Sequence, residues 1–184
     1  NDNYDNYILF NTNFNVNGEK SLEQIERQFD DGHPVIDRLF DDVGKQVKIF
    51  GRFLSLISET AEQFPNHNII VRPHPSENPY IYRNCFYVHE NIHIDKRFEV
   101  RPWILGSQAV IHNSCTTGVE AALLNTPVIA YVPNGWERLE TPNEVSVRCT
   151  TAADVFDVIN HHGERQKAFT LDTDTKTKLQ PHID

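Results

Sequence analysis

The chain of 184 residues contains no methionine, only three cysteines, and fewer basic than acidic residues (17 against 26). Each shortage excludes something. Without a methionine the sequence does not open on a translation start, so an excised domain or a processed piece of a larger unit is expected. Cys85, Cys115 and Cys149 are odd in number and far apart, which leaves no disulfide framework and no zinc spacing. Reduced, mostly buried thiols in a cytoplasmic protein are expected instead. The net charge of -9 argues against nucleic acid, because a phosphate backbone demands clustered Lys and Arg. It does not exclude a nucleotide, which needs only a local positive pocket. No apolar run is long enough to span a bilayer, and no segment reads as a signal peptide. GxSxG, Walker-type and GxGxxG motifs are absent.

What remains is 39% hydrophobic and 10% aromatic, enough for a core. The length suits one compact domain, expected over 1–162, with a polar tail over 163–184. Tyr7 to Phe10, Asn68 to Arg72, Phe86 to Val88, Ala109 to His112, Val128 to Val132 and Val145 to Val147 read as strands. Between them, apolar residues from Ile36 to Phe64 recur at three- and four-residue steps, the mark of a long amphipathic helix stopped by Pro65 and Asn66. Short helices are expected around Ser21 to Phe29, over Pro102 to Leu105 and after Thr117, and a final helix over Ala152 to Asn160. Apolar strands alternating with helices indicate an α/β fold: a Rossmann-like parallel sheet with helices on both faces.

Ligands in such sheets bind beyond the carboxyl ends of the strands. Three polar clusters fall there: Asn11-Thr12-Asn13, Arg72-Pro73-His74-Pro75, and His112 through Thr117. The prolines around His74 hold its backbone extended, and a fixed imidazole can donate to a phosphate oxygen or assist a leaving group. Arg72 adds a permanent forked donor. The plainer reading of this loop is a rigid turn with a surface ion pair. Asn113, Ser114, Thr116 and Thr117 stand at a helix start, where backbone N–H groups favour an anion. One of these hydroxyls is expected to cap the helix, and Gly118 to permit close approach. Glu120 is too acidic for a phosphate and suits a pair of sugar hydroxyls, or simply the first-turn dipole. His89 and His93 are four apart, but no helix is expected there and no acidic partner has metal-site spacing, and His161-His162 stands at a helix carboxyl end, where cations are welcome anyway. No metal and no cofactor are expected.

Arg72 to Pro75, Asn113-Ser114, Gly118 to Ala122 and Thr126 to Ile129 together resemble the carboxyl-terminal, donor-binding half of GT-B glycosyltransferases. The nearest group makes bacterial surface carbohydrate and capsule, and includes Kdo, sialyl and polyol-phosphate transferases. The resemblance covers about Tyr7 to Asn160. It implies that His74 is catalytic, holding the donor phosphate and stabilising the departing nucleotide. It implies further that Asn113, Ser114, Thr116 and Thr117 grip the nucleotide and that Glu120 binds ribose. Thr126 stands where the family usually has Gly. Nothing in the chain matches the acceptor-activating carboxylate, which in the resembling enzymes lies in the amino-terminal half. The implied partners are a nucleotide sugar (CMP-linked ahead of UDP- or CDP-linked) and a missing acceptor domain, with peripheral membrane association of the full protein. Alone, this piece is expected to bind weakly and transfer little. A nucleotide-sugar 2-epimerase half and a non-catalytic scaffold are the alternatives.

Overall fold

The computed structural model describes residues 4–14, 36–97, 99–133 and 140–161. Among the described residues, six strands make one sheet: β1 (Tyr7–Asn11), β2 (Asn68–Arg72), β3 (Ile92–Ile94), β4 (Ser107–His112), β5 (Val128–Tyr131) and β6 (Val147–Cys149). Their order is β3-β2-β1-β4-β5-β6 and every pairing is parallel. The helices are α1 (Ile36–Gln63), α2 (Pro79–Phe86), α3 (Arg101–Gly106), α4 (Thr117–Leu123), α5 (Glu140–Glu144) and α6 (Ala152–Asn160). This is the expected Rossmann-like α/β fold.

Alternation along β1 divides the core in two. Ile8 and Phe10 face one side and pack with Phe53, Leu56 and Ile57 of α1, Tyr82 and Phe86 of α2, and Val155, Val158 and Ile159 of α6. Tyr7 and Leu9 face the other and pack with Trp103 and Ile104 of α3 and Ala121 and Ala122 of α4. Both faces are covered, so all five β1 residues are buried, as uniformly apolar strands require. Topology also fixes the rim. Asn11, the last residue of β1, is in register with Arg72 on one side and His112 on the other. The three polar clusters therefore start side by side at one end of the sheet.

Several expectations are corrected. Phe86 to Val88 is not a strand. Asn78 caps α2 by accepting from the Tyr80 amide, Pro79 suits the first turn, and the helix runs out at Phe86. Tyr87 and Val88 then lie in a turn, 83% and 65% exposed, and the edge strand forms later as β3. The last strand begins at Val147 rather than Val145, because the Val145 amide still bonds back to the Thr141 carbonyl of α5. On α1, Val47 is 52% exposed and leaves the apolar stripe. The helix expected at Ser21 to Phe29 and the tail over 163–184 lie outside the described residues. No helix among the described residues is long and apolar enough to cross a membrane.

Candidate functional site

Beyond the ends of β1, β2 and β4 opens a cleft of about 610 Å³. Asn11, Arg72, His74, Thr116, Thr117 and Glu120 line it, together with Lys96 and Arg101, which the sequence reading did not single out. Glu99 and Cys115 also contribute. A chain of net charge -9 thus gathers Arg72, Lys96 and Arg101 around one opening against Glu99 and Glu120. That local excess of positive charge suits an anion.

His74 is held at both its backbone and its ring. The Glu77 amide donates to the His74 carbonyl (2.9 Å), closing a four-residue turn with Pro75 at its second position, where proline is favoured. The Ser76 amide donates to Nδ1 (3.2 Å) and the Ser76 hydroxyl lies 2.7 Å from the same nitrogen. With Nδ1 accepting, Nε2 carries the ring proton in the neutral imidazole and is left as a donor. The side chain is exposed at the cleft. Arg72 donates to the Arg97 carbonyl (2.9 Å). Burial pulls its pKa down and the Asp95 carboxylate pulls it back up. Burial also raises the Asp95 carboxyl, but hydrogen bonds and charge from Arg97, with the charge of Arg72, outweigh this and hold it below the usual range.

On the opposite wall, Thr116 sits at the amino end of α4 with no capping bond from its side chain, so the expected hydroxyl cap is not made. Thr116 is exposed and lines the cleft. Thr117 is buried and accepts from Asn11 Nδ2 (2.9 Å), which joins β1 to α4 at the cleft floor. Glu120 lies 3.7 Å from Arg101. Burial raises the pKa of its carboxyl, and Arg101 opposes the shift.

Four of the expected ligand residues, Thr12, Asn13, Asn113 and Ser114, are outside the lining, Asn13 half-buried and the other three buried. Thr12 is fully buried and donates to Glu77 (2.6 Å). Asn113 is buried, accepting from the Asn13 amide (3.2 Å) and donating to the Asn13 carbonyl (3.4 Å). Ser114 is buried in the left-handed region at φ 53, and its hydroxyl accepts from Asn143 on α5 (2.9 Å). A turn this tight buries the residues at its bend, and of the two threonines after it Thr116 is exposed while Thr117 is buried. His112 is fully buried too. Its Nδ1 accepts from the Cys115 amide (3.2 Å), and its Nε2 meets Ser146 (2.9 Å), which donates to the Pro142 carbonyl (2.6 Å). Desolvation pushes its pKa down to about 3, so it is a neutral strut between the turn and α5. Gly118 packs on this ring: a Cβ there would lie 2.8 Å from Cε1 of His112.

The sequence reading missed Glu77, Lys96 and Arg101. For Glu77 the available signal was its place three residues after His74, within reach of that residue's amide. Lys96 and Arg101 carried none, since β3 was itself unrecognised.

No family model matches the chain, and no curated protein does. Solved structures do. UDP-GlcNAc 2-epimerase from Neisseria meningitidis, bound to UDP-GlcNAc, is 14% identical over 91% of this chain and 38% of that one, with a TM-score of 0.51. The S. aureus MnaA–UDP structure is 15% identical over 90% and 39%, at 0.52. The Methanocaldococcus jannaschii UDP-GlcNAc 2-epimerase, with UDP-GlcNAc and UDP, is 17% identical over 85% and 38%, at 0.53. At these identities the likeness is one of fold. The chain spans less than two fifths of the length of these neighbours.

Proposed function

We propose that the cleft binds a nucleotide sugar through its phosphates and ribose, and that the chain is the nucleotide-binding part of a GT-B-like sugar-nucleotide enzyme. The observation that carries this reading is convergence: Asn11 from the end of β1, Arg72 and His74 from β2, and Thr116 and Glu120 beyond β4 line one cleft. The Nε2–H of His74 is the donor for a phosphate oxygen. Arg72, Lys96 and Arg101 offset the phosphate charge, and Thr116 offers a hydroxyl from the facing wall. Glu120, partly countered by Arg101, is the acceptor for ribose hydroxyls. When the sugar–phosphate bond breaks, negative charge grows on the departing nucleotide. Donors already in place stabilise that charge more than they stabilise the intact donor, which lowers the barrier.

Departure of a nucleotide serves two chemistries. Glycosyl transfer is the first reading, from the paired loops around His74 and Thr116. The second is 2-epimerisation, supported by neighbours solved as UDP-GlcNAc 2-epimerases. Those neighbours also move uridine ahead of the CMP-sugar that sequence resemblance placed first.

Calorimetric titration of UDP, CDP and CMP into the wild type and His74→Ala tests the binding. UDP is expected to bind, and loss of the charge-assisted His74 bond to weaken it by about tenfold. Absence of binding by all three would overturn the reading in favour of a scaffold. In the full protein, UDP-GlcNAc converted to its 2-epimer without an acceptor would place epimerisation first.

A further inference from the structure

We infer that Glu77, outside the cleft lining, is the residue that positions His74 for the nucleotide; this rests on the binding proposed above. Glu77 is only 3% exposed, and a buried carboxylate needs partners. It has four. Oε2 accepts from the His74 amide (2.6 Å) and the Thr12 hydroxyl (2.6 Å). Oε1 accepts from the Phe14 amide (2.9 Å) and the Tyr82 hydroxyl (2.8 Å).

The four donors come from three places: the segment after β1, the loop after β2, and α2. A carboxylate has about four lone-pair sites, so this one is saturated. All four contacts are donations to it, and the Tyr82 hydroxyl also lies 3.0 Å from Thr12 Oγ1. Glu77 therefore fastens the main chain of His74 to the end of the central strand. The Ser76 contacts at Nδ1 orient the ring within the turn that Glu77 closes. Glu77 is not in the lining, so it acts on a ligand through the residues it holds, of which His74 lines the cleft.

Two readouts test this. The first is a double-mutant cycle in nucleotide affinity, with UDP as probe, over His74→Ala and Glu77→Gln. The glutamine keeps the volume but turns an NH₂ toward two donors. Glu77→Gln is expected to weaken UDP about fivefold in the wild type and less than about twofold in the His74→Ala background. Equal factors in both backgrounds, or no loss in either, would overturn the proposal. The second is the ¹⁵N spectrum of the His74 ring. It is expected to show one fixed Nε2–H tautomer in the wild type and an averaged pattern in Glu77→Gln. A wild-type pattern surviving in Glu77→Gln would overturn the proposal even if UDP binds nothing. Failure of the wild type to bind UDP, with the ring pattern altered as expected, would instead count against the binding proposal alone. Should Glu77→Gln fail to fold, Tyr82→Phe removes one donor from the same carboxylate, and the same criteria apply at about twofold.

Discussion

At the scale of single residues, close contacts decide the outcome. Gly118 lies against the imidazole of His112 because it has no Cβ. Gly118→Ala is expected to destabilise the protein by about 1–3 kcal/mol through overpacking, read as a lower urea midpoint. An unchanged midpoint would mean that α4 slides away freely. His112 sets a pH dependence whose sign follows from its environment. Its folded pKa, about 3, lies below the unfolded 6.5. The neutral ring is therefore fully compatible with the fold above pH 6.5, and stability is lost as pH falls from there toward about 3. The slope approaches about 1.4 kcal/mol per pH unit. Urea titrations between pH 7 and 4.5 would show it, and His112→Gln should flatten it. The roles of His112 and Glu77 were hidden in the sequence for a common reason. A buried polar side chain is recognised by its partners, and theirs are brought in by the fold: Ser146 for His112, and Thr12, Phe14 and Tyr82 for Glu77.

At the scale of elements, legibility followed length and uniformity. β1, β2, β4 and β5 are apolar runs between polar breaks, and α1 repeats its stripe over many turns, so each could be read from the chain alone. α2 is eight residues long and carries Tyr80, Ile81, Tyr82 and Phe86, residue types that also suit strands. β3 is three residues, Ile-His-Ile, too short to show a period. Expecting the strand at Phe86 to Val88 instead of Ile92–Ile94 hid the approach of Lys96 and Arg101 to the cleft. α6 keeps its expected bounds, Ala152–Asn160, and its amino end is closed by a capping box. Thr151 accepts from the Asp154 amide, and Asp154 accepts in return from the Thr151 amide. Thr151→Ala is expected to cost about 1 kcal/mol and lower Tm by several degrees, measured by thermal melting. A change confined to the melt of α6, with β6 unaffected, would show that this helix frays independently.

At the scale of the whole molecule, a strongly acidic chain presents a locally cationic cleft. Attraction within the cleft and repulsion from the remaining surface are both screened by salt, but the cleft charges stand much closer to a bound phosphate. Affinity for UDP is therefore expected to fall about threefold to tenfold between 0.05 and 0.5 M NaCl, by calorimetry at fixed pH. Indifference to salt would indicate that His74 and Thr116 bind without the three cations.

The strand order has a consequence for synthesis. The central strand lies between neighbours encoded far downstream, and Asn13 meets its partner Asn113 across 100 positions. As the polypeptide emerges from the ribosome, β2 can dock on one flank of β1 while the other flank waits for β4. During that interval an apolar strand keeps a bare edge, the kind of surface that chaperones shield and that invites misassembly. The pocket itself has no floor until Asn11 finds Thr117, so a nascent chain stopped short of α4 would carry the His74 loop with nothing opposite it.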